Sequence, residues 1–342
     1  MSAALIDIEP LLAPLDGPSP SGAALDYDPR FQALEQAGAG KPERQWGDKI
    51  YPAEAPDWPT VLEFALPLAA QSRDLRVAVW LLRCGARLHG LAGAFRGLRL
   101  VHGLLTGLWD SVHPQLDASD SNDPTMRLSA LAPLLSADAV LADLRAAALA
   151  PERGSLTLRD LELGLARAEP SAQETVPTEA GVLQALDGLL QRHAGLADML
   201  RQAHCSALDI GTLVERQIGA ARAPDFAPLI QLLQIAAQAV DRVQGQASAA
   251  RADTNGRALA SAPAPVSAGT ATSGNIRSRA DAVRELERVC DWIERNEPSN
   301  PAPLLIRRAQ RLMNKSFLDI VRDLAPEGLN QIEHIAGPQA QA

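Results

Sequence analysis

The sequence has few of the residues from which disulfide frameworks and metal sites are built. Its 342 residues include three cysteines, Cys84, Cys205 and Cys290, and six histidines. The cysteines are odd in number and far apart, and no C-x-x-C pair is present. Their spacing therefore predicts neither a disulfide framework nor a zinc site, and it fits a protein of the reducing cytosol.

The remaining candidate groups are spaced unfavourably for catalysis or metal binding. On one helix, His102 and His113 would be roughly 16 Å apart, too far to share a metal ion. Segment 38–41 falls short of a phosphate-binding loop because Pro42 stands where Ser or Thr has to bind magnesium. We therefore predict no catalytic, cofactor-binding or metal-binding residue. A hydrolase or metal enzyme would need residues that only the fold brings together.

Lysine is scarce, and long apolar runs are missing. The chain has only Lys41, Lys49 and Lys315, and its net charge is −9. This argues against nucleic-acid binding, which needs concentrated positive charge. No run approaches the ~20 apolar residues that span a bilayer, and the amino terminus lacks a basic segment followed by an apolar one. We expect a soluble, unexported protein that neither binds nucleic acid nor inserts into a membrane.

Helical periodicity is abundant, and it is clearest between Ser72 and Pro114. Ser72 is the predicted N-cap of a first helix that Gly90 ends, and a second helix is predicted over Leu91–Trp109. Glycines at 93, 97 and 107 lie near one face of the second helix, which would allow a close approach by another helix. This stretch is predicted to form an αα-hairpin.

The rest of the chain repeats this pattern without sustained strand alternation, so the predicted fold is all-α. Segment 154–168 allows a brief strand or a helix, and helix is favoured. The other predicted helices cover residues 29–37, 60–71, 124–135, 137–149, 176–205, 208–221, 225–243, 280–295, 304–313, 317–324 and 329–335.

A change in composition divides the chain. Residues 244–279 are rich in Ala, Ser, Gly, Thr and Pro, which predicts a flexible, disordered linker. Beyond it, residues 280–337 would form a small helical domain whose core is too small to be very stable alone, so self-association is predicted. Before it lie a multi-helix amino-terminal domain, 1–123, and a helical middle region, 124–243, that could pack on it. The candidate self-association or partner contacts are Pro298, Pro301, Leu304, Leu305, Arg308, Phe317, Ile320 and Leu324.

Two sets of residues go beyond generic helices. The first comprises Pro20-Ser21-Gly22, Leu25-Asp26-Tyr27-Asp28, Asp57-Trp58, Ser72-Arg73-Asp74-Leu75-Arg76-Val77-Ala78, Trp80-Leu81, Gly97-Leu98, Trp109-Asp110 and His113-Pro114. It resembles the ImpA amino-terminal domain, which marks the TssA proteins of type VI secretion systems. The second set, Asn296 to Leu305 with Arg308-Ala309, Phe317 and Asp323 to Pro326, resembles the carboxy-terminal part of the shorter TssA class. The motif residues in the first set are Gly22, Tyr27, Asp28, Trp58, Asp74, Leu75, Trp80, Trp109 and Pro114.

This resemblance implies a non-enzymatic, ring-forming component that associates with the baseplate and assists tube and sheath assembly. Its partners would be copies of itself and baseplate, sheath and tube proteins, and it would lie in the cytoplasm, peripherally at the membrane-docked machine. Residues 280–337 would make the ring, and residues 1–150 would recruit partners. The alternative is a monomeric helical adaptor that binds one protein partner in a groove beside Trp80 and Trp109.

Overall fold

The computed structural model describes residues 5–41, 43–46, 49–258, 279–296 and 301–313. The chain divides into unit 1, Met1–Ser261, and unit 2, Ala262–Ala342. The helices of unit 1 are α1 (Glu9–Leu12), α2 (Pro29–Ala39), α3 (Trp58–Gln71), α4 (Leu75–Gly107), α5 (Thr125–Leu131), α6 (Val140–Ala146), α7 (Leu158–Gly164), α8 (Glu179–Arg192), α9 (Leu196–Ile218) and α10 (Ala227–Ala258), with a short 3-10 helix at Ala132–Leu134.

Helix α4 is two helices joined at Gly90, as the sequence predicts. Gly90 has φ 63°, a left-handed conformation that favours glycine, and a Cβ there would lie 2.5 Å from the carbonyl oxygen of Ala148. The predicted N-cap was wrong, because Asp74 rather than Ser72 accepts the hydrogen bond from the backbone N–H of Arg76, at 2.8 Å. Ser72 instead ends α3 and donates its hydroxyl proton to Ala23 O at 2.8 Å.

The glycines of the second half of α4 only partly meet their prediction. A Cβ on Gly93 would overlap the carbonyl oxygen of Gly85, and one on Gly97 would overlap the Cα of Leu82. The two halves of the hairpin therefore approach closely at these glycines, as predicted. No atom of a described residue lies within 4 Å of a Cβ built on Gly107, so its predicted part in this close approach was wrong.

A small sheet departs from the all-α prediction. Strands β1 (Arg44–Trp46) and β2 (Lys49–Tyr51) pair antiparallel in a segment between the predicted helices 29–37 and 60–71. The ambiguous segment 154–168 contains helix α7, as favoured, and a capping box of Thr157 and Asp160 begins it. The molecule is otherwise mainly helical.

The predicted break between residues 205 and 208 was wrong. Helix α9 continues through it, and the chain turns instead before α9, at Gly195, which has φ 89°. Ser206 and Ala207 are buried on α9, and such small side chains let a helix pack closely without ending it. Pro67 lies inside α3, which the structure describes as one helix.

One hydrophobic core runs through unit 1. Helix α4 packs against α3, α6 and α9, and α10 packs against α8 and α9. Side chains from both halves of the unit lie in the same cluster, including Val61, Leu82, Val101, Ile210 and Val214. The middle region therefore packs on the amino-terminal region. Helix α10 extends to Ala258, so the predicted linker begins inside a helix, since Ala and Arg favour helix even without large apolar residues. Its residues 259–278 lie outside the described part.

Unit 2 contains α11 (Arg279–Asn296) and α12 (Ala302–Met313), which pack against each other. Its buried Cys290 donates a weak hydrogen bond to the carbonyl oxygen of Pro303, at 3.9 Å. The predicted helices 317–324 and 329–335 lie outside the described residues. In the described parts of both units, no helix combines the length and apolar character that crossing a membrane requires.

Candidate functional site

The described titratable residues form no group of three or more histidine, cysteine or acidic side chains that could hold a metal ion. Cys84 is buried, and burial raises the pKa of its thiol to about 12. The thiol is therefore protonated at neutral pH and is a poor nucleophile. The features that distinguish unit 1 are instead a hydrogen-bonded junction, an arginine and tryptophan stack, and a groove.

The junction joins three segments that are distant in sequence, 21–23, 72–74 and 111–114. The backbone N–H of Arg73 donates to Ser21 O at 2.8 Å, and that of His113 donates to Arg73 O at 2.9 Å. Leu75 N–H then donates to His113 O at 2.8 Å. Gly22 has φ 72°, and a Cβ there would overlap Gln71 O. This junction therefore brings together the motif residues Gly22, Asp74, Leu75 and Pro114.

Two buried arginines stabilise the junction by hydrogen bonds to backbone carbonyl oxygens rather than to carboxylates. Arg73 donates to the carbonyl oxygens of Pro10, Ala13 and Ala69, at 2.7 to 3.0 Å. Arg127 is completely buried and donates to the carbonyl oxygens of Trp109, Val112 and Pro114, at 2.8 to 3.0 Å.

Arg127 also stacks on the ring of Trp109, with 4.7 Å between the guanidinium carbon and the ring centroid. Burial lowers the pKa of Arg127 to about 10, so it stays charged at neutral pH. Sequence reasoning missed this residue, because an arginine in an amphipathic segment normally reads as solvent-exposed.

The arginine and tryptophan stack lies on the first half of α4. Arg83 and Arg87, one turn apart, each donate from Nε to the fully buried carboxylate of Asp143, at 2.6 Å. The Arg83 guanidinium lies 5.2 Å from the ring centroid of Trp58 and 5.0 Å from that of Trp80. One carboxylate on α6 therefore orients two cations over the motif tryptophans, in cation–π geometry.

A groove of about 340 Å³ lies beside Trp80. Its apolar lining comes from Val79, Trp80, Pro114, Met126, Ala130 and Pro133, and its polar lining from Glu35, Arg76, Arg83 and Ser129. The Trp80 ring is held in place by Gly38, where a Cβ would overlap it. An apolar floor with a few polar groups at its rim can accept an apolar side chain from another protein.

The predicted groove residue Trp109 does not line this groove. It is 9% exposed and lies under Arg127. Asp28 caps α2 by accepting from the backbone N–H of Arg30, at 2.8 Å. Tyr27 is 95% exposed and is the most exposed large apolar side chain described in unit 1.

Unit 2 presents apolar side chains to solvent. Leu304 is 71% and Leu305 67% exposed on α12, and Trp292 is 56% exposed on α11. Arg308 and Pro301 are also exposed. The predicted contact residues Pro298, Phe317, Ile320 and Leu324 lie outside the described residues.

Three comparisons with known proteins agree. The family model described as ImpA, N-terminal, type VI secretion system, matches residues 12–136. The type VI secretion system component TssA1 of Pseudomonas aeruginosa is 38% identical over 346 residues, which cover 98% of this chain and 100% of that protein.

The third comparison is structural. The solved N-terminal domain that includes the conserved ImpA_N region of the TssA component from Burkholderia cenocepacia matches with a TM-score of 0.50 and 21% identity. The match covers 72% of this chain and 96% of that one, and at this identity it shows a shared fold. By its identity to TssA1 over nearly its full length, the chain belongs to the TssA family of type VI secretion system components.

Proposed function

We propose that this protein is a non-enzymatic, ring-forming assembly component of the type VI secretion system. Unit 2 makes the contacts between copies, and residues 1–150 recruit baseplate, sheath and tube proteins. The protein works in the cytoplasm, peripherally at the membrane-docked machine. Full-length similarity to a TssA1 component supports the assignment to this machine.

The exposed apolar face of unit 2 carries the proposal. Within residues 283–295 and 301–310, whose burial the structure describes, only Cys290, Pro303 and Gln310 are buried. Leu304, Leu305, Trp292 and Val289 are 45 to 71% exposed. A small helical domain that hides so little apolar surface gains stability by packing against copies of itself.

A ring follows if the contact between copies is heterologous and closes. Each unit 2 then carries a unit 1 into the assembly, so a symmetric partner meets several tethered copies of unit 1. Weak binding at each groove beside Trp80 adds up through effective concentration. The groove beside Trp80 supports partner recruitment by unit 1, because its apolar floor is open to a partner side chain.

The full-length protein tests this division of labour. We expect analytical ultracentrifugation to find a multimer, and the double substitution L304D/L305D to reduce it to a monomer. The control carries V176D and L208D, at positions 51% and 40% exposed in unit 1, and it should remain multimeric. Circular dichroism should show unchanged helix content in both variants. A wild-type protein that sediments as a monomer at every concentration contradicts the ring.

The groove favours one second candidate, a monomeric adaptor that binds a single protein partner through Trp80. Both candidates use the groove, but only the ring needs unit 2. If the wild-type protein is a monomer and a Trp80→Ala substitution alone abolishes partner capture, the adaptor replaces the ring.

A further inference from the structure

We propose that the β-ribbon formed by β1 and β2, with the flanking residues Lys41 and 52–54, is a docking surface for an extended acidic segment of another protein. This surface is separate in its residues from the groove beside Trp80 and from unit 2. The proposal therefore does not depend on ring formation.

The ribbon presents one face made of alternating cations and aromatic rings. Across the two strands Arg44 pairs with Tyr51, and Trp46 pairs with Lys49. Side chains alternate between the faces of a strand, so these four lie on the same face. Trp46 is 84% exposed and Tyr51 48% exposed, and the Lys49 ammonium lies 5.0 Å from the ring centroid of Tyr51.

A groove lies beside three of these side chains, Arg44, Trp46 and Tyr51, and it also includes Gln45 from the opposite face. The groove has a volume of about 430 Å³ and is also lined by Pro52, Lys41 and Glu54. Lys41 and Glu54 form an ion pair at 2.7 Å, so they neutralise each other. Arg44 makes no ion pair with a described residue, and its charge is therefore available to a ligand.

The cations on the exposed face of the ribbon favour an acidic ligand. Residues 41–54 carry three cations and three carboxylates, but the two cations Arg44 and Lys49 share the exposed face with Trp46 and Tyr51, whereas Lys41 is paired with Glu54. Local cations on an acidic protein suit single carboxylates, which pair at short range. A nucleic acid, with a phosphate at every step, would be repelled by the remaining negative surface. An acidic protein segment is therefore favoured over an oligonucleotide.

The outer edges of β1 and β2 favour a ligand in an extended conformation. In the part of the chain that the structure describes, β1 and β2 pair only with each other, so each has an outer edge that pairs with no described strand. Such an edge can add an extended peptide by main-chain hydrogen bonds. The carboxylates of the added segment would meet Arg44 and Lys49, and its apolar side chains would pack on Trp46 and Tyr51.

Fluorescence anisotropy with the full-length protein tests the proposal. The probes are a labelled peptide that repeats Asp-Thr-Leu-Thr, which places its acids and leucines on one face of an extended strand, its charge-inverted counterpart that repeats Lys-Thr-Leu-Thr, and an oligothymidine of equal length. We expect the acidic peptide to bind and the other two probes not to bind. Added salt should weaken binding, because exposed charges are screened.

Matched variants locate the site. Trp46→Ser and Arg44→Glu should each weaken binding of the acidic peptide at least about tenfold. The controls Phe64→Ser, at a 38% exposed position on α3, and Arg153→Glu, at an exposed position outside the ribbon, should bind like the wild type. Unchanged melting temperatures show that the variants are folded.

Several outcomes overturn the proposal. These are equal binding of the charge-inverted peptide, binding of oligothymidine in place of the acidic peptide, an equal loss in the control variants, and no binding of the acidic peptide at the highest protein concentration tried.

Discussion

The two units stabilise themselves in different ways. Unit 1 buries a continuous apolar core and also buries charged groups that each make two or three hydrogen bonds, namely Arg73, Arg127 and Asp143. The described helices of unit 2 bury little and expose leucines and a tryptophan. The apolar side chains of unit 1 are therefore mostly buried within the unit itself, whereas unit 2 exposes apolar side chains that copies of the chain can cover.

This difference predicts two kinds of effect. Substitution of buried residues in unit 1 should lower the free energy of unfolding, and substitution of exposed apolar residues in unit 2 should change the mass of the assembly.

The largest loss of stability is expected for Arg127→Met. It would leave three buried carbonyl groups without donors and lose the stacking on Trp109, at a cost of about 3 to 5 kcal/mol. Chemical denaturation of the full-length protein measures this. Arg153→Met, at an exposed position, should change the free energy of unfolding by less than about 0.5 kcal/mol.

The substitution Asp143→Asn should have an intermediate effect. It removes the only described ion-pair partner of Arg83 and Arg87, whose side chains are 16% and 37% exposed and therefore partly hydrated. We expect a loss of about 2 kcal/mol, smaller than for a fully buried cation. The stack over Trp58 and Trp80 should loosen, which near-ultraviolet circular dichroism detects. A variant with wild-type stability would show that Asp143 does not hold the stack.

The smallest effect is expected at the surface of unit 1, where pH tests an exposed ion pair. Hydrogen bonds from Arg159 lower the pKa of Glu174 from 4.5 to about 2. A carboxylate whose pKa is depressed on folding stabilises the protein above its ordinary pKa, and this contribution is lost as the pH falls through the folded value. Glu174→Gln should therefore reduce stability slightly at neutral pH and have a clearly smaller effect near pH 2, where the folded carboxylate is becoming protonated. Denaturation curves at the two pH values compare the variant with the wild type. An equal loss at both would show that the ion pair is not the cause.

For unit 2, the sequence leads to a prediction of self-association but not to its geometry. The small size of this domain predicts self-association, and Leu304 and Leu305 are exposed on α12. The ring itself stays a prediction, because a contact between copies lies outside a single chain.

The sequence by itself determined the helical character of the chain, the turn at Gly90 and the family. Periodicity of apolar residues, a glycine at a left-handed turn and the motif residues are local signals that need no neighbours. Tertiary structure alone decided where α9 continues, that Arg127 is buried and that Trp109 lies beneath it. These depend on groups from distant segments, such as the carbonyl of Pro114 for Arg127, and no local pattern encodes whether a charged side chain will meet them.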